Sequence, residues 1–262
     1  MILKRLKTVG AALCAAAFIL SLGLPAFFYA HAPYSAAVTA DAGGPDAVDA
    51  PEDMGDSTDA TRKLIAITFD DGPRRSTTTR LLDGLAQRGA KATFFLVGKN
   101  VEVNKDVVQR MEQEGHQVGV HTYDHEKRLT GLSHADFSAQ VDRTRNLLTD
   151  ILGHNDFVLR PPYGMTDAGV KKWAGAPIII WSIDPEDWKD QNADREVAFI
   201  LKEAKDGDII LMHDIFDASV EAALRVVDAL HEQGYLFVTI DELFAERHIE
   251  LESGKSYWNA YP

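Results

Sequence analysis

Residues 64–72 read LIAITFDDG, a short apolar run that ends in two adjacent carboxylates and a glycine. Similar apolar runs recur along the chain, and segments with helical spacing lie between most of them. The predicted strands are Leu64–Phe69, Ala92–Val97, Gln117–His121, Phe157–Arg160, Ile178–Ile183, Asp208–His213 and Tyr235–Ile240. The predicted helices are Thr77–Arg88, Lys105–Glu114, Ser133–Leu152, Ala193–Ala204 and Ser219–Gln233. This alternation predicts an α/β fold with a parallel sheet covered by helices, either a closed (β/α) barrel or an open doubly wound sheet.

The composition argues against several classes of function. The chain has 262 residues and a formal net charge of -13, and an acidic protein is poorly suited to binding nucleic acid. Glycine-rich phosphate-binding motifs do not follow the predicted strands, so we expect no nucleotide partner. The single cysteine, Cys14, precedes the predicted strands. A metal site in the folded region would therefore use His, Asp and Glu.

The first 32 residues have the pattern of an export segment. Lys4, Arg5 and Lys7 precede an apolar run over residues 9–29, which predicts that the rest of the chain lies outside the membrane. Ala30-His31-Ala32 resembles a cleavage site, yet the run is long enough to span a bilayer. Residues 1–32 are thus interpreted as a signal peptide or a membrane anchor, and both remain open.

The rest of the chain divides into three parts. Residues 33–61 are rich in Ala, Asp, Gly and Pro, which predicts a flexible acidic linker. Residues 62–248 form the predicted folded domain, and residues 249–262 a C-terminal tail. The aromatic residues of this tail could form a sugar-stacking strip, pack onto the domain or be disordered.

Polar residues directly follow five of the predicted strands. They occur at residues 70–72, 121–125, 160–164, 184–188 and 213–214. Because chemistry in parallel α/β folds gathers at the carboxyl ends of the strands, we expect these segments to share one site.

Two carboxylates and two histidines in these segments suggest a metal site. Asp70 and Asp71 would repel each other unless a cation or a proton lay between them. One could ligate an ion while the other accepts a proton from water. His121 and His125 with one carboxylate make three ligands and leave positions open, as catalytic Zn²⁺ requires, and the same donors accept Co²⁺, Ni²⁺ or Mn²⁺.

Three further polar residues are candidates for proton transfer. His213 follows an apolar strand and is the natural general acid, with Asp187 as the carboxylate that would hold its pKa near the working pH. Arg160, also at a strand end, could pair with Asp70 and keep it ionised.

The five segments together resemble the polysaccharide deacetylase (NodB homology) family, carbohydrate esterase family 4. Its motifs T-F-D-D-G, H-[ST]-x-x-[HD], R-x-P-[YF]-G, D-x-x-D-W and L-x-H occur in order as residues 68–72, 121–125, 160–164, 184–188 and 211–213. The resemblance covers roughly residues 62–247 and implies a distorted (β/α) barrel of seven or eight strands.

The resemblance also implies roles for particular residues. It makes Asp70 the catalytic base, His213 the catalytic acid, and Asp71, His121 and His125 the metal ligands. The remaining roles are orientation of the base by Arg160, tuning of the acid by Asp187, an acetyl-binding wall from Trp188 and Leu211, and an oxyanion-binding backbone N–H at Tyr163.

By this resemblance, the chain is expected to be a metal-dependent hydrolase that removes N-acetyl groups from peptidoglycan N-acetylglucosamine. Deacetylation of chitin oligomers or poly-N-acetylglucosamine and de-O-acetylation of xylan are alternatives on the same machinery. A protein that only binds the wall polysaccharide is the non-enzymatic alternative. The expected partners are the polysaccharide and, if residues 1–32 are retained, the membrane.

Overall fold

The computed structural model describes residues 62–125 and 128–262. The predicted export segment, residues 1–32, and the predicted linker, residues 33–61, lie outside the described residues. Within the described part of the chain, no helix combines the length and the apolar character that crossing a bilayer requires.

A parallel sheet centred on the first strand forms the middle of the domain. Strand β1 (Lys63–Asp70) pairs in parallel with β2 (Thr93–Leu96) and with β5 (Ile209–His213), while its first three residues pair with β6 (Tyr235–Phe237). Strand β3 (Gln117–Val120) continues the sheet beyond β2. Because all these strands are parallel, their carboxyl ends lie at the same end of the sheet.

Single bridges close this sheet into a distorted barrel. Leu159 bridges Val120 on one side and Ile178 of β4 (Ile178–Ile179) on the other, and Ile183 bridges Ile210 of β5. The sheet therefore returns to β1. The open doubly wound alternative is wrong, and the barrel expectation is confirmed.

Two predicted strands are far less regular than expected. The segment Phe157–Arg160 makes isolated bridges, and only Ile178–Ile179 of the segment Ile178–Ile183 is a strand. One reason is that the Arg160 side chain, rather than a neighbouring strand, donates to the carbonyls of Ile179 and Ile180. Prolines at positions 161, 162, 177 and 185 also lack the N–H that a strand ladder needs.

Helices pack around the sheet. Their bounds are α1 Arg75–Arg88, α2 Gly98–Glu102, α3 Lys105–Gln113, α4 His134–Leu152, α5 Ala168–Trp173, α6 Asp187–Asp190, α7 Ala193–Glu203, α8 Asp217–Glu232 and α9 Ile240–Glu246. The five predicted helices are confirmed to within two residues at each end. The four that sequence reasoning missed have four to seven residues, which is too short for a helical period to show.

Strand β1 is buried on both faces, and alternate residues serve different cores. Ile65, Ile67 and Phe69 belong to the large cluster that includes the helices α1 and α8. Leu64 and Ala66 belong to a second cluster with residues of the other strands and of α9. Side chains alternate along a strand, so Thr68 and Asp70 extend the row begun by Leu64 and Ala66, which positions Asp70 at the end of this row.

The last residues of the chain pack onto the domain. Strand β7 (Ser256–Tyr257) pairs in parallel with β4, and Asn259 bridges Asp208, the residue just before β5. The Tyr261 hydroxyl donates to Asp208 Oδ1 at 2.7 Å. Asp208 and His213 lie at opposite ends of the run that forms β5, so this contact is far from the predicted site.

Candidate active site

The predicted site residues meet at the carboxyl end of the barrel. A cavity of about 360 Å³ is lined by Asp70, Asp71, His121, His125, Tyr163, Trp181, Asp184, Trp188, Leu211 and His213. Two further predicted residues, Arg160 and Asp187, are fully buried behind this lining. Trp181 was not identified as a site residue from the sequence, because it lies inside an apolar run rather than after one.

Asp71, His121 and His125 form a group whose ligand atoms all lie within 4.8 Å of one another. Each histidine Nε2 is 3.6 Å from Asp71 Oδ1. The other ring nitrogen of His121, Nδ1, is 2.7 Å from the carbonyl of Arg160, to which it donates in the tautomer that leaves Nε2 free as a ligand.

The group fits a divalent cation. Asp71 Oδ1 is buried and has no hydrogen-bond partner among the described residues, a costly arrangement for a carboxylate without a counter-charge. Two imidazoles and one carboxylate form a donor set typical of catalytic zinc and related ions.

The backbone conformation explains how the adjacent residues Asp70 and Asp71 can have different roles. Asp71 has a φ of 72°, in the left-handed region that non-glycine residues rarely adopt. The chain therefore turns sharply after Asp70, and Asn100 Nδ2 donates to the Asp71 carbonyl at 2.8 Å. His125, with a φ of 58°, has a similar conformation. Backbone strain at both ligands is typical of functional sites.

Asp70 is held by a buried arginine. Arg160 Nη1 donates to Asp70 Oδ1 at 2.8 Å and to Thr68 Oγ1 at 2.7 Å. Burial favours the protonated carboxyl, but the charge and hydrogen bond of Arg160, with the nearby His121 and His213, outweigh it and lower the pKa of Asp70. Asp70 is therefore ionised at neutral pH and can accept a proton.

His213 lies next to Asp70 in the register of β1 and β5, lines the same cavity and forms two hydrogen bonds with Asp187. Its backbone N–H donates to Asp187 Oδ2 and its ring Nδ1 to Asp187 Oδ1, both at 2.8 Å. Burial favours the neutral ring, but the hydrogen bond and charge of Asp187, with the charges of Asp70 and Asp71, raise the pKa of His213 to about 9. Its ring is therefore protonated at neutral pH and can donate a proton.

Aromatic residues surround the mouth of the cavity. Tyr163 and Trp188 are 60% and 53% exposed, although both are large hydrophobic side chains. Trp188 directly follows the buried Asp187 in the one-turn helix α6, which sends the two side chains in different directions. Exposed aromatic rings beside a polar cavity are suited to contact the faces of sugars.

Two buried carboxyl groups near the site received no role from the sequence. Asp214 is buried beside Gly72, its Oδ2 accepts a short hydrogen bond from Thr78, and burial raises its pKa to about 7. A Cβ at Gly72 would lie 2.4 Å from the Asp214 oxygens, so the turn after Asp71 packs against this carboxyl.

Glu196 is also buried. Its burial, and next the charge of Asp187, raise its pKa to about 7. Neither carboxyl residue is the first polar residue after an apolar run, so the sequence pattern did not indicate that either would be buried.

Known proteins are similar to this chain in sequence and in fold. The model of the family described as polysaccharide deacetylase matches residues 57–176. A peptidoglycan-N-acetylglucosamine deacetylase from Bacillus cereus is 37% identical over 203 residues, covering 71% of this chain and 90% of that protein. The chain belongs to the polysaccharide deacetylase family. This family is metal-dependent, in agreement with the ligand group of Asp71, His121 and His125.

Longer relatives and solved structures agree with this family assignment. The peptidoglycan-N-acetylglucosamine deacetylase PgdA of Listeria monocytogenes is 43% identical over 199 residues, which cover 76% of this chain but only 42% of that protein. The structure described as T48 deacetylase with substrate is 41% identical, with a TM-score of 0.71, and the match covers 75% of this chain and 96% of that one. A family 4 acetyl xylan esterase from Clostridium thermocellum in complex with a cobalt ion has the same TM-score at 28% identity, over 75% and 98% of the two chains.

Proposed function

We propose that this protein hydrolyses the N-acetyl groups of N-acetylglucosamine units in peptidoglycan and releases acetate. The observation that carries the proposal is a single cavity lined by an ionised carboxylate, Asp70, a protonated imidazole, His213, and a ligand group that fits a metal. The substrate class is supported by the names of the Listeria and Bacillus relatives.

We further propose Zn²⁺ as the native ion, held by Asp71, His121 and His125. The donor set supports this choice, and it also accepts Co²⁺, Ni²⁺ or Mn²⁺. A divalent ion bound there supplies Lewis-acid polarisation and lowers the pKa of a water.

Asp70 acts as the general base in this proposal. Its Oδ1 is fixed by Arg160, while Oδ2 lies 3.5 Å from His121 Nε2 and so faces the ligand group. Arg160 also donates to the carbonyls of Ile179 and Ile180, and these hydrogen bonds hold its guanidinium in place. Asp70 is thereby ionised and fixed in place before substrate arrives, which favours proton transfer from a water.

His213 acts as the general acid. The departing sugar nitrogen must gain a proton to leave as an amine, and His213 carries one at neutral pH because of Asp187. Asp187 accepts from both the backbone and the ring of His213, so it fixes the ring orientation and leaves Nε2 to donate into the cavity.

The remaining lining residues bind the acetyl group. Leu211 and Trp188 provide an apolar wall for the methyl group, and the backbone N–H of Tyr163 stabilises the oxyanion. This role is supported by the presence of all three residues in the cavity lining. Tyr163 has a φ of 61°, an unusual conformation of the kind found at functional sites.

We propose that residues 1–32 export the protein, so that the site acts outside the cytoplasmic membrane on a polymer of the envelope. The basic residues that precede the apolar run in this segment support the orientation. The acidic linker, residues 33–61, would separate the domain from the membrane where the segment is retained.

Acetate release from defined polymers tests the activity. The full chain with Zn²⁺ is incubated with peptidoglycan, a chitin oligomer and acetylated xylan, and the products are analysed by mass spectrometry. Deacetylated N-acetylglucosamine in muropeptides supports the proposal, while acetate from xylan alone would replace it with the esterase that the Clostridium structure represents. Asp70→Asn should retain metal and lose turnover, whereas the control Asp228→Asn, at an exposed ion pair with Arg88, should leave turnover unchanged.

A further inference from the structure

A second cavity, also of about 360 Å³, lies beside the candidate active site. Arg74, Arg75, Asn100, Asn104, Ile215 and Phe216 line it, and we name it the Arg74 groove. Arg74 and Arg75 follow the Asp70-Asp71 turn after β1, and the last two residues follow His213 after the neighbouring strand β5.

Two interactions connect the groove with residues of the candidate active site. Asn100, in the groove wall, donates its Nδ2 hydrogen to the backbone carbonyl of Asp71 at 2.8 Å. The ring centroid of Phe216 is 6.2 Å from that of His213. A polymer with one acetyl group in the active-site cavity could therefore place an adjoining part in this groove.

The charged side chains that line the groove differ from those that line the active-site cavity. The cavity lining contains the carboxylates Asp70, Asp71 and Asp184, whereas the groove lining contains two arginines and no carboxylate. In a chain with 40 acidic and 27 basic residues, such a lining is a local exception that favours an anionic ligand.

The two arginines differ in what they can still bind. Arg75 donates two hydrogen bonds to the carboxylate of Asp106, at 2.8 and 2.6 Å. Arg74 instead donates Nη1 to the backbone carbonyl of Ile215 at 2.8 Å, and no carboxylate of residues 62–125 and 128–262 forms an ion pair with it. The backbone contact orients an exposed guanidinium whose charge is not neutralised, which suits a carboxylate ligand.

We propose that the Arg74 groove is an anion subsite that binds a carboxylate carried by the sugar next to the one being deacetylated. This inference rests on the proposed function and adds a preference within it. Chitin offers only hydroxyl and acetamide groups. Peptidoglycan carries carboxylates on its peptide stems, and a free lactyl carboxylate on each lactyl ether from which the stem is missing. The subsite thus selects acidic glycan strands over neutral ones.

Steady-state kinetics on three substrates test the subsite with the full chain and Zn²⁺. They are glycan strands stripped of peptides, which expose lactyl carboxylates, strands that retain their peptide stems, and a neutral chitin oligomer. For Arg74→Gln we expect the ratio of kcat/KM for the acidic strands to that for chitin to fall roughly tenfold through KM, the size of one partly exposed charge-assisted hydrogen bond. The strand type that shows the fall identifies which carboxylate binds.

Control variants separate this effect from loss of charge or shape. Arg80→Gln removes an exposed arginine of α1, the helix that directly follows Arg74, and this arginine is already paired with Asp217. It should leave the ratio unchanged. Arg74→Lys should retain part of the preference because it keeps the charge. An unchanged ratio in Arg74→Gln, or an equal loss on chitin, would refute the subsite alone. A wild-type chain that releases no acetate from any of the three substrates would refute the proposed function and the subsite with it.

Discussion

Replacing Asp187 with Asn tests whether the buried carboxylate controls the protonation of His213. Asp187 is fully buried and accepts two hydrogen bonds from His213, each of 2.8 Å. An asparagine of the same size keeps the packing but removes the negative charge. Its single side-chain oxygen cannot replace both carboxylate oxygens as acceptors of the two hydrogen bonds from His213.

The expected magnitude follows from the pKa of His213. Its rise from 6.5 to about 9 corresponds to about 3 kcal/mol favouring the protonated ring. Without the Asp187 charge, burial again favours the neutral ring, so the pKa should fall towards 6.5 or below. A general acid must be protonated to act, so the loss should be small near pH 5.5 and roughly tenfold or more at pH 8.

The same substitution changes stability with a defined sign. Because the folded pKa of His213 is raised, its contribution to the free energy of unfolding is full below the unfolded pKa of about 6.5 and disappears as the pH rises through about 9. Asp187→Asn should therefore destabilise the protein more at pH 6 than at pH 9.5.

Two assays check these expectations. NMR titration of the His213 ring in the metal-free chain measures its pKa directly, and the rate of acetate release with Zn²⁺ between pH 5 and 9 gives the activity profile. Asp190→Asn is the matched control, since Asp190 is on the same short helix but forms an exposed ion pair with Arg195. A His213 pKa that stays near 9 in Asp187→Asn would refute the assignment of the shift to Asp187.

Three further substitutions test other parts of the site. Arg160→Lys should lower the free energy of unfolding by about 3–5 kcal/mol, because one ammonium cannot replace the donors to Asp70 and to two buried carbonyls. Urea denaturation measures this loss of stability. A loss below about 1 kcal/mol would contradict the reasoning. Gly72→Ala should cost about 1–3 kcal/mol by thermal unfolding because its Cβ would overlap Asp214, and unchanged stability would show that this carboxyl moves freely. Asp71→Asn should abolish the rise in Tm that Zn²⁺ produces in the wild type, because Asp71 Oδ1 has no other partner among the described residues; a rise equal to that of the wild type would remove Asp71 from the ligand set.

The C-terminal segment illustrates how far a sequence pattern reaches. Residues 249–262 have no regular apolar period, and three outcomes were open for them. The structure pairs Ser256–Tyr257 with β4 and buries Ala260. Pairing of this kind joins residues about 80 positions apart, and a local period carries no information about such partners.

The sequence by itself determined the five longer helices, the inner strands and the positions where polar site residues follow those strands. Apolar runs such as Leu64–Phe69 are typical of inner strands, which are buried on both faces. Parallel strands bring the residues that follow them to one end of the sheet. Asp70, His121 and His213 could be located in this way because each directly follows such a run or ends it.

Only the tertiary structure decided what surrounds those residues. It replaced part of a strand ladder with the Arg160 guanidinium, buried Asp214 and Glu196, and left Arg74 with its charge unpaired in a groove beside the site. Burial and charge pairing depend on side chains contributed by distant segments, and these properties set each pKa. Residue order fixes which groups are present, whereas their mutual distances in the folded chain fix what each group can do.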